Sequence, residues 1–356
     1  MNIKKFSLLV VAALLVFTAC KKDDDASDVP VIEIRDRAEQ QAADMDSINK
    51  YLRNHYYNKS YFTGNSDPRI ADLVITEITN EVIPPEADSL LINAVGDPKS
   101  TVYEGVDYQF YILEINKGGG KTPTFADNIR YIYEGFTLDN AIFDETSSPV
   151  ESDLAPGVQN RSLISGWGKA MPFFKAASNF EINNDGTVSY VDPGVGVMFL
   201  PSGLAYFSQS RPGIPSYHPI CFKFELYQTF VNDHDGDGIP SYIEDVDKNG
   251  ILDDNTDDDT FRNSSGFIAP LLDYFDTDDD NDGIPTRDEL ESITYTINTN
   301  IGEEEPNFEG NAIEFVQSRT ESNGVITIKT KKLVDSNGDD KWDYLDDTIK
   351  IRNSND

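Results

Sequence analysis

Residues 163–174 read Leu-Ile-Ser-Gly-Trp-Gly-Lys-Ala-Met-Pro-Phe-Phe, a short stretch in which Trp167 lies among small and apolar residues. The sequence on either side is typical of β-structure. Tyr108 to Ile115 is strongly apolar and aromatic, and Ile129 to Tyr133 begins a second strand-like stretch. Phe222 to Leu226 alternates apolar and charged residues, as a half-buried strand does. The central part of the chain is therefore expected to be a sheet domain.

Five short segments of this part follow one another in a specific order. They are Tyr131-Ile-Tyr133-Glu-Gly135; Asn140-Ala-Ile-Phe143-Asp144; Leu163-Ile164-Ser-Gly-Trp167; Leu200-Pro-Ser-Gly-Leu-Ala205-Tyr206; and Gly213-Ile-Pro215 with Ile220-Cys-Phe222-Lys-Phe224-Glu-Leu226. No single segment is specific, but together and in this order they resemble the FK506-binding-protein (FKBP) family of peptidyl-prolyl cis/trans isomerases.

The resemblance implies an α+β fold in which an antiparallel sheet wraps around one short helix, and an enzyme that needs no cofactor. It implies that Trp167 forms the floor of a pocket for the proline ring. The implied site also includes pocket walls, groups that bind the substrate carbonyls (the Ile164 N–H and the Tyr206 hydroxyl) and a rim carboxylate; these residues are Tyr133, Phe143, Asp144, Leu163, Ile164, Tyr206 and Phe222.

The residue types suit this reaction. An Xaa-Pro bond resists rotation by roughly 20 kcal/mol because resonance gives its C–N bond double-bond character. The twisted amide loses charge separation, so an apolar pocket favours the transition state over the planar ground state. Such a site needs rings and few charges, and no nucleophile. The alternative for each aromatic residue is that it fills the core, and for Tyr131 and Phe224 this alternative is preferred.

The sequence departs from the family pattern at several places. Phe207 stands where the family has glycine, and Asn184-Asp-Gly186 predicts an inserted turn. The phenylalanine expected after Asp144 is missing, with Val150 or Leu154 in its place. Two alternatives to an active isomerase follow: a weakly active or inactive chaperone of this fold that holds prolyl segments, and a calcium-dependent structural or adhesion protein.

Two acidic stretches after the sheet domain share the ligand spacing of an EF-hand calcium loop. Each has oxygen donors at positions one, three, five and nine, glycine at six, a backbone carbonyl at seven and glutamate at twelve; position nine is Ser241 in the first and Thr286 in the second. The predicted ligands are Asp233, Asp235, Asp237, Ile239 and Glu244 in the first loop, and Asp278, Asp280, Asp282, Ile284 and Glu289 in the second. Structural Ca²⁺ is the predicted ion.

Two weaker copies accompany these loops. Asp245 begins a third one, continued by Asp247, Asn249 and Asp253, in which Thr256 replaces the glutamate. Asp335 begins a fourth, for which a solvated turn is preferred. No long helix is expected before Asp233, so the segment resembles thrombospondin type 3 repeats more than paired EF-hands. A disordered acidic spacer is the alternative; it explains the charge but not the spacing.

The N-terminus predicts export. Met1 to Lys5 is basic, and Phe6 to Phe17 is apolar but too short for a stable membrane span. Thr18-Ala19-Cys20 resembles the lipobox of bacterial lipoproteins, which implies lipidation of Cys20 and an outer-membrane lipoprotein facing the periplasm or the cell surface. An ordinary secretory signal with a chance cysteine is the alternative.

Composition narrows the class of partner. The chain has 63 acidic and 29 basic residues and a formal net charge of −34, which argues against nucleic acid and favours cations. The expected clients are proline-containing polypeptides, and the membrane is reached through the N-terminal lipid.

The predicted parts are a signal peptide (1–19), a tether (20–31), a helical or mixed segment (32–104), the isomerase domain (105–230), acidic repeats (231–290) and a small β segment (291–356).

Two further expectations concern individual elements. Helical spacing of apolar residues predicts one long amphipathic helix from Ile32 to about Tyr57. His55 and His234 are expected to face solvent, since neither belongs to a histidine cluster.

Overall fold

A computed structural model describes residues 34–85, 89–155, 163–262, 265–308 and 310–353. The predicted signal peptide, Cys20 and the tether lie outside the described residues. From Asp36 onward the chain forms one compact unit. None of the described helices combines the length and apolar character that a membrane crossing requires.

The N-terminal segment contains helices and short strands, and its first helix is shorter than expected. Helix α1 spans Arg37–Asn54, and Asp36 caps it by accepting a hydrogen bond from the Glu39 N–H at 2.9 Å. The prediction that it runs to Tyr57 is wrong, because strand β1 (His55–Tyr57) pairs with strand β2 (Ile75–Glu77). The remaining elements are α2 (Lys59–Phe62), a 3₁₀ turn (Ile70–Asp72) and α3 (Leu91–Ala94).

The central part is a six-stranded antiparallel sheet with the order β3-β4-β9-β10-β5-β6. Its elements and those between its strands are β3 (Lys99–Tyr103), β4 (Val106–Asn116), β5 (Asn128–Thr137), β6 (Ile142–Asp153), α4 (Ser165–Ala170), a 3₁₀ turn (Met171–Phe173), the hairpin β7 (Asn179–Ile182) and β8 (Val188–Val191), β9 (Gly194–Leu200), a 3₁₀ turn (Ser202–Leu204) and β10 (Ile220–Phe230). The β7–β8 hairpin contains the predicted inserted turn, with Gly186 at φ +85°.

Each face of this sheet carries its own core, because successive side chains of a strand point to opposite faces. In β10, Phe222 and Phe224 face the short helix α4 and pack with Trp167. Cys221 faces the other way and packs with Leu52 of α1. The predicted α+β class, an antiparallel sheet around one short helix, is confirmed.

The acidic segment is rich in loops and is followed by a second, smaller sheet. Its elements are β11 (Thr260–Arg262), β12 (Ile268–Pro270), a 3₁₀ turn (Asp273–Phe275), α5 (Thr286–Glu289), β13 (Glu291–Asn298), a 3₁₀ turn (Thr299–Ile301), β14 (Glu314–Ser322), β15 (Val325–Lys332) and a 3₁₀ turn (Asp343–Leu345). The strands β13-β15-β14 form an antiparallel sheet. Ile239 of the first acidic loop packs with Leu290 and Leu333, so the loops and this sheet share a core.

Candidate functional site

Strand register brings the segments of the predicted site together. Phe222 in β10 lies opposite Gly135 in β5, and Gly135 lies opposite Asp144 in β6. A Cβ atom on residue 135 would lie 2.6 Å from the Phe143 ring and 2.8 Å from the Phe222 ring. Glycine is required here because the two rings meet above it. Their centroids are 5.5 Å apart in an edge-to-face arrangement.

Trp167 lies at the base of this ring cluster. It is 2% exposed, and its ring centroid is 4.7 Å from that of Tyr131 and 5.2 Å from that of Phe222. Gly166 lets α4 approach the sheet, since a Cβ there would clash with Leu200. Tyr131 and Phe224 are fully buried, in agreement with the core role preferred for them.

The other predicted residues surround the indole and differ in how deeply their side chains are buried. Phe222 is buried, Asp144 is exposed, and the remaining ones are half-buried and pack against the core around Trp167; these are Tyr133, Phe143, Leu163, Ile164 and Tyr206. Of the two residues considered for the missing wall, Leu154 is buried and Val150 is half-buried, and both pack on this core. All eight predicted site residues thus belong to one region, with the apolar groups deepest.

A short hydrogen bond joins two of the rim residues. The Tyr133 hydroxyl donates to Asp144 Oδ2 at 2.6 Å. Burial, and then this hydrogen bond to the carboxylate, raises the pKa of Tyr133 above its ordinary value. The hydroxyl therefore keeps its proton at neutral pH and orients the Asp144 carboxylate.

Two polar groups beside the indole are free to bind a ligand. Among the hydrogen bonds of the described residues, none uses the Ile164 N–H or the Tyr206 hydroxyl. The Arg211 guanidinium carbon lies 5.3 Å from the centroid of the Tyr206 ring. Ile164 is the N-cap of α4, where backbone N–H groups have no partner within the helix.

Helix α1 supports the loop that carries Tyr206. The buried Asp44 carboxylate accepts hydrogen bonds from the Ser202 N–H at 2.7 Å and the Ser202 hydroxyl at 2.6 Å. Phe207, which stands where the resemblance leads one to expect glycine, has φ +47° and therefore lies in the left-handed region. Its ring lies 4.3 Å from the Arg37 guanidinium carbon and packs edge-to-face on Tyr217. These contacts offset the strain of a bulky residue in this conformation.

Each predicted calcium loop is closed by its own aspartates. In the first, Asp233 accepts hydrogen bonds from the N–H groups of Gly236 and Gly238, and Asp237 Oδ1 accepts one from the Ile239 N–H at 2.7 Å. The second repeats the last two contacts: Asp278 accepts from the Gly283 N–H and Asp282 from the Ile284 N–H. Asp233 uses both carboxylate oxygens in these contacts, whereas Asp237, Asp278 and Asp282 each use one and keep the other available for an ion.

The remaining oxygens are buried and unsatisfied. Within the described residues, seven of the predicted ligands have a buried carboxylate oxygen without a hydrogen bond; they are Asp235, Asp237, Glu244, Asp278, Asp280, Asp282 and Glu289. Both glutamates are 1% exposed, and neither of their oxygens is bonded.

The electrostatics of the loops agree with this geometry. Burial, and then the neighbouring carboxylates, raises the pKa of Asp235 to about 8 and that of Glu289 to about 9. In each loop the three aspartates place oxygens within 4.8 Å of one another. An all-oxygen, anionic donor set of this kind fits a hard divalent cation of the size of calcium.

The first acidic loop is attached to the sheet domain beside the ring cluster. The prediction that His234 faces solvent is wrong. Its ring contacts Asp153 Oδ2 at 2.9 Å and Ser241 Oγ at 2.8 Å. Asp153 ends β6, and its carbonyl accepts a hydrogen bond from the Leu163 N–H. Lys169 of α4 donates to the Gly250 carbonyl at 2.5 Å. His55 is also buried, because its ring stacks on Tyr51.

The weaker loop copies differ from expectation in detail. In the third, Asp254 rather than Asp253 joins Asp245 and Asp247 in a group close enough to share an ion. The fourth is a turn in which Asp335 accepts hydrogen bonds from backbone N–H groups, with Asp340 at φ +72° in the glycine position. Asp335 belongs to none of the acidic groups of ion-binding size found in the described residues.

Several contacts of the site were not predicted from sequence. They include the Asp44–Ser202 bonds, the additional acidic group of Asp257, Asp259 and Asp276, and Asp279, which meets Asp237 and Glu244. Asp44 carries no motif. Asp279 lies between the predicted ligands Asp278 and Asp280. Because every second side chain of such a loop faces the ion, Asp279 faces away from it, and the spacing of the motif does not predict what Asp279 contacts.

Comparison with known proteins finds distant similarity over part of the chain. No family model matches the chain. Over 127 residues it is 26% identical to the peptidyl-prolyl cis-trans isomerase Mip of Coxiella burnetii, a match that covers 35% of this chain and 45% of that protein. The chain thus spans less than half the length of the curated relative that it matches.

Solved structures of three proteins also overlap with part of the chain. A peptidyl-prolyl cis-trans isomerase from Pseudomonas syringae pv. tomato has 21% identity and a TM-score of 0.27, and covers 38% of this chain and 84% of its own. FkpA from Escherichia coli has 17% identity and a TM-score of 0.28, with 64% and 73% covered. The N-terminal domain of FKBP42 from Arabidopsis thaliana has 15% identity and a TM-score of 0.28, with 42% and 98% covered.

Proposed function

We propose that the protein is an FKBP-type peptidyl-prolyl cis/trans isomerase whose site is the ring cluster above Trp167. The observation that carries this proposal is the gathering of all eight residues implied by the family motifs into one region, with the indole and Phe222 buried and the rings of Tyr133, Phe143 and Tyr206 half-buried. The distant similarity to Mip supports the same activity.

The geometry suits catalysis by desolvation. A proline ring seated on Trp167 is surrounded by Tyr133, Phe143 and Phe222, and loses most of its water there. Because the twisted amide has less charge separation than the planar one, this transfer lowers the rotational barrier. Nothing is cleaved, so no nucleophile is required.

The polar groups of the rim orient the peptide. The Ile164 N–H and the Tyr206 hydroxyl donate hydrogen bonds to the carbonyls on either side of the proline. The Asp144 carboxylate, held by Tyr133, faces the rotating carbonyl. These positions hold the peptide while leaving the prolyl bond free to turn.

A protease-coupled assay on an Xaa-Pro peptide tests this function. The unmodified protein should raise the isomerisation rate in proportion to its concentration, and Trp167→Leu and Asp144→Ala should both lower kcat/KM. An unmodified protein that binds the peptide without raising the rate would favour the chaperone alternative, for which the departure at Phe207 is a specific reason.

For the acidic segment we propose structural calcium in the first and second loops. The unsatisfied oxygens of Glu244 and Glu289 support this proposal, because a buried carboxylate without a partner is costly unless a cation is bound. Calorimetric titration of the metal-free protein with CaCl₂ tests it, and an absence of binding heat and of a stability change would refute it.

The cellular setting is part of the same proposal. Cys20 and its small neighbours support lipid anchoring at the outer membrane, with exported proline-containing polypeptides as clients. Expression of the full chain with Cys20→Ser should move the protein from the membrane fraction to the soluble fraction. Equal partitioning of the two forms would contradict an anchor at this residue.

A further inference from the structure

The second acidic loop presents one carboxylate to the first. Asp279 lies between the predicted ligands Asp278 and Asp280, yet its carboxylate meets those of Asp237 and Glu244 from the first loop, with ligand atoms within 4.8 Å of one another. All three residues are buried, with exposures of 1–2%. This group therefore joins two segments more than 30 residues apart in sequence.

The oxygens that meet there have no partners. Asp279 Oδ2 accepts a hydrogen bond from the Thr286 hydroxyl at 2.8 Å, but Asp279 Oδ1 has none. Asp237 Oδ2 and both oxygens of Glu244 are also without a hydrogen bond. None of the ion pairs found among the described residues involves these three carboxylates.

Equivalent positions of the two loops show why Asp279 points outward. His234 and Asp279 are both second residues of a loop, and the N–H of each donates to the hydroxyl of the residue seven positions later, Ser241 or Thr286. In the first loop this second residue attaches the loop to Asp153. In the second loop it extends into the first loop's carboxylates.

Three buried carboxylates so close together repel each other unless a positive charge lies among them. No basic side chain among the described residues pairs with these carboxylates. A set of ligands made only of oxygen atoms favours a hard cation. We propose that Asp279 is a ligand, supplied by the second loop, of the calcium ion bound in the first loop. The inference rests on the proposed calcium binding and adds to it that the first site is complete only with the second loop in place.

Calcium titration of the full-length protein by calorimetry tests this assignment. Glu244→Gln should abolish the first-loop site and Glu289→Gln the second. Asp279→Asn should weaken the first-loop site by roughly tenfold or more while leaving the second, because one charged ligand is lost. The double variant Asp279→Asn/Glu244→Gln should lose no more than Glu244→Gln does. Asp258→Asn removes an exposed charge from the same segment and should bind like the unmodified protein.

Melting temperature separates a ligand from a merely structural residue. Without calcium, Asp279→Asn should melt higher than the unmodified protein, since it relieves repulsion; with calcium it should melt lower. A variant that melts lower under both conditions would overturn the assignment. So would unchanged calcium binding by Asp279→Asn in a protein whose Glu244→Gln variant has lost a site. If the unmodified protein binds no calcium, the underlying calcium proposal fails as well.

Discussion

The ring cluster around Trp167 and the acidic loops both have buried interiors, but they are stabilised in opposite ways. In the ring cluster the deepest groups are apolar, and the Tyr133–Asp144 pair at the rim is hydrogen-bonded. In the loops the deepest groups are carboxylates, and Glu244 and Glu289 have no bonded oxygen. Under the calcium proposal, packing completes the first region, whereas a bound cation completes the second.

The two regions are nevertheless in contact. His234 and Lys169 link the first and third loops to the end of β6 and to α4. Tyr274 and Leu252 of the acidic segment pack with Ala126 and Ala155 of the sheet domain. The acidic segment therefore acts as a support for the elements that carry Leu163 and Trp167.

The largest effect is expected from removing calcium. Two ions at concentrations about 100-fold above their dissociation constants stabilise the fold by roughly 5 kcal/mol, at about 2.7 kcal/mol per site. Urea unfolding of the full chain with calcium and with a chelator measures this difference. The variant Glu244→Gln/Glu289→Gln serves as the control and should respond little. If the unmodified protein is equally stable with calcium and with the chelator, the loops are stabilised without a bound ion and the calcium proposal is contradicted.

Trp167→Leu should have the next largest effect. Replacing a buried indole by a smaller side chain leaves a cavity, and we expect a loss of about 2–4 kcal/mol in unfolding free energy that calcium does not restore. The isomerase rate should fall with it. Trp342→Leu is the matched control: this indole packs with Ile239 in the acidic half, so the variant should keep the rate. Equal loss of rate in both variants would contradict the distinction.

A smaller effect is expected at Asp44. Asp44→Ala removes the acceptor of the buried Ser202 N–H, which should cost about 1–3 kcal/mol and weaken peptide binding through the Tyr206 loop. Asp46→Ala, at an exposed position of the same helix, is the control. KM and urea midpoints measure both consequences. An unchanged KM would show that α1 does not position the loop.

The smallest change in stability is expected for Tyr133→Phe. Its hydrogen bond is at the rim, so unfolding should change by about 1 kcal/mol or less, while kcat/KM falls several-fold. Combining it with Asp144→Ala should add little if the pair acts as a unit. Tyr295→Phe removes a similar bond, to Glu314 in the second sheet, and should leave the rate unchanged. If the losses of kcat/KM from Tyr133→Phe and Asp144→Ala add, the two residues act independently and the proposed pair is contradicted.

Sequence predicted the site where the determining contacts are local or follow strand pairing. Phe222, Gly135 and Asp144 lie opposite one another on three neighbouring strands, so strand pairing brings their motifs together. The aspartates of each loop likewise cap backbone groups within five residues. The α+β class was implied by the family resemblance, and alternation along residues 222–226 predicted only the half-buried strand that became part of β10.

Contacts between distant segments were not predictable in this way. Helix α1 ends at Asn54 because β1 finds its partner about 20 residues later, a pairing that helical spacing does not reveal. His234 is buried because Asp153, far away in sequence, meets it. From its sequence position Asp279 would be expected to face solvent. It meets Asp237 and Glu244 only because the two loops lie together in the fold.

Exchange NMR on a peptide with one Xaa-Pro bond tests the central claim most directly, because it observes cis/trans interconversion at equilibrium without a coupling enzyme. Uncatalysed exchange takes on the order of tens of seconds or longer. Substoichiometric full-length protein should produce cis–trans exchange cross-peaks whose rate rises with protein concentration, and Trp167→Leu should largely remove them. Exchange no faster than that of the free peptide would contradict the proposed enzyme.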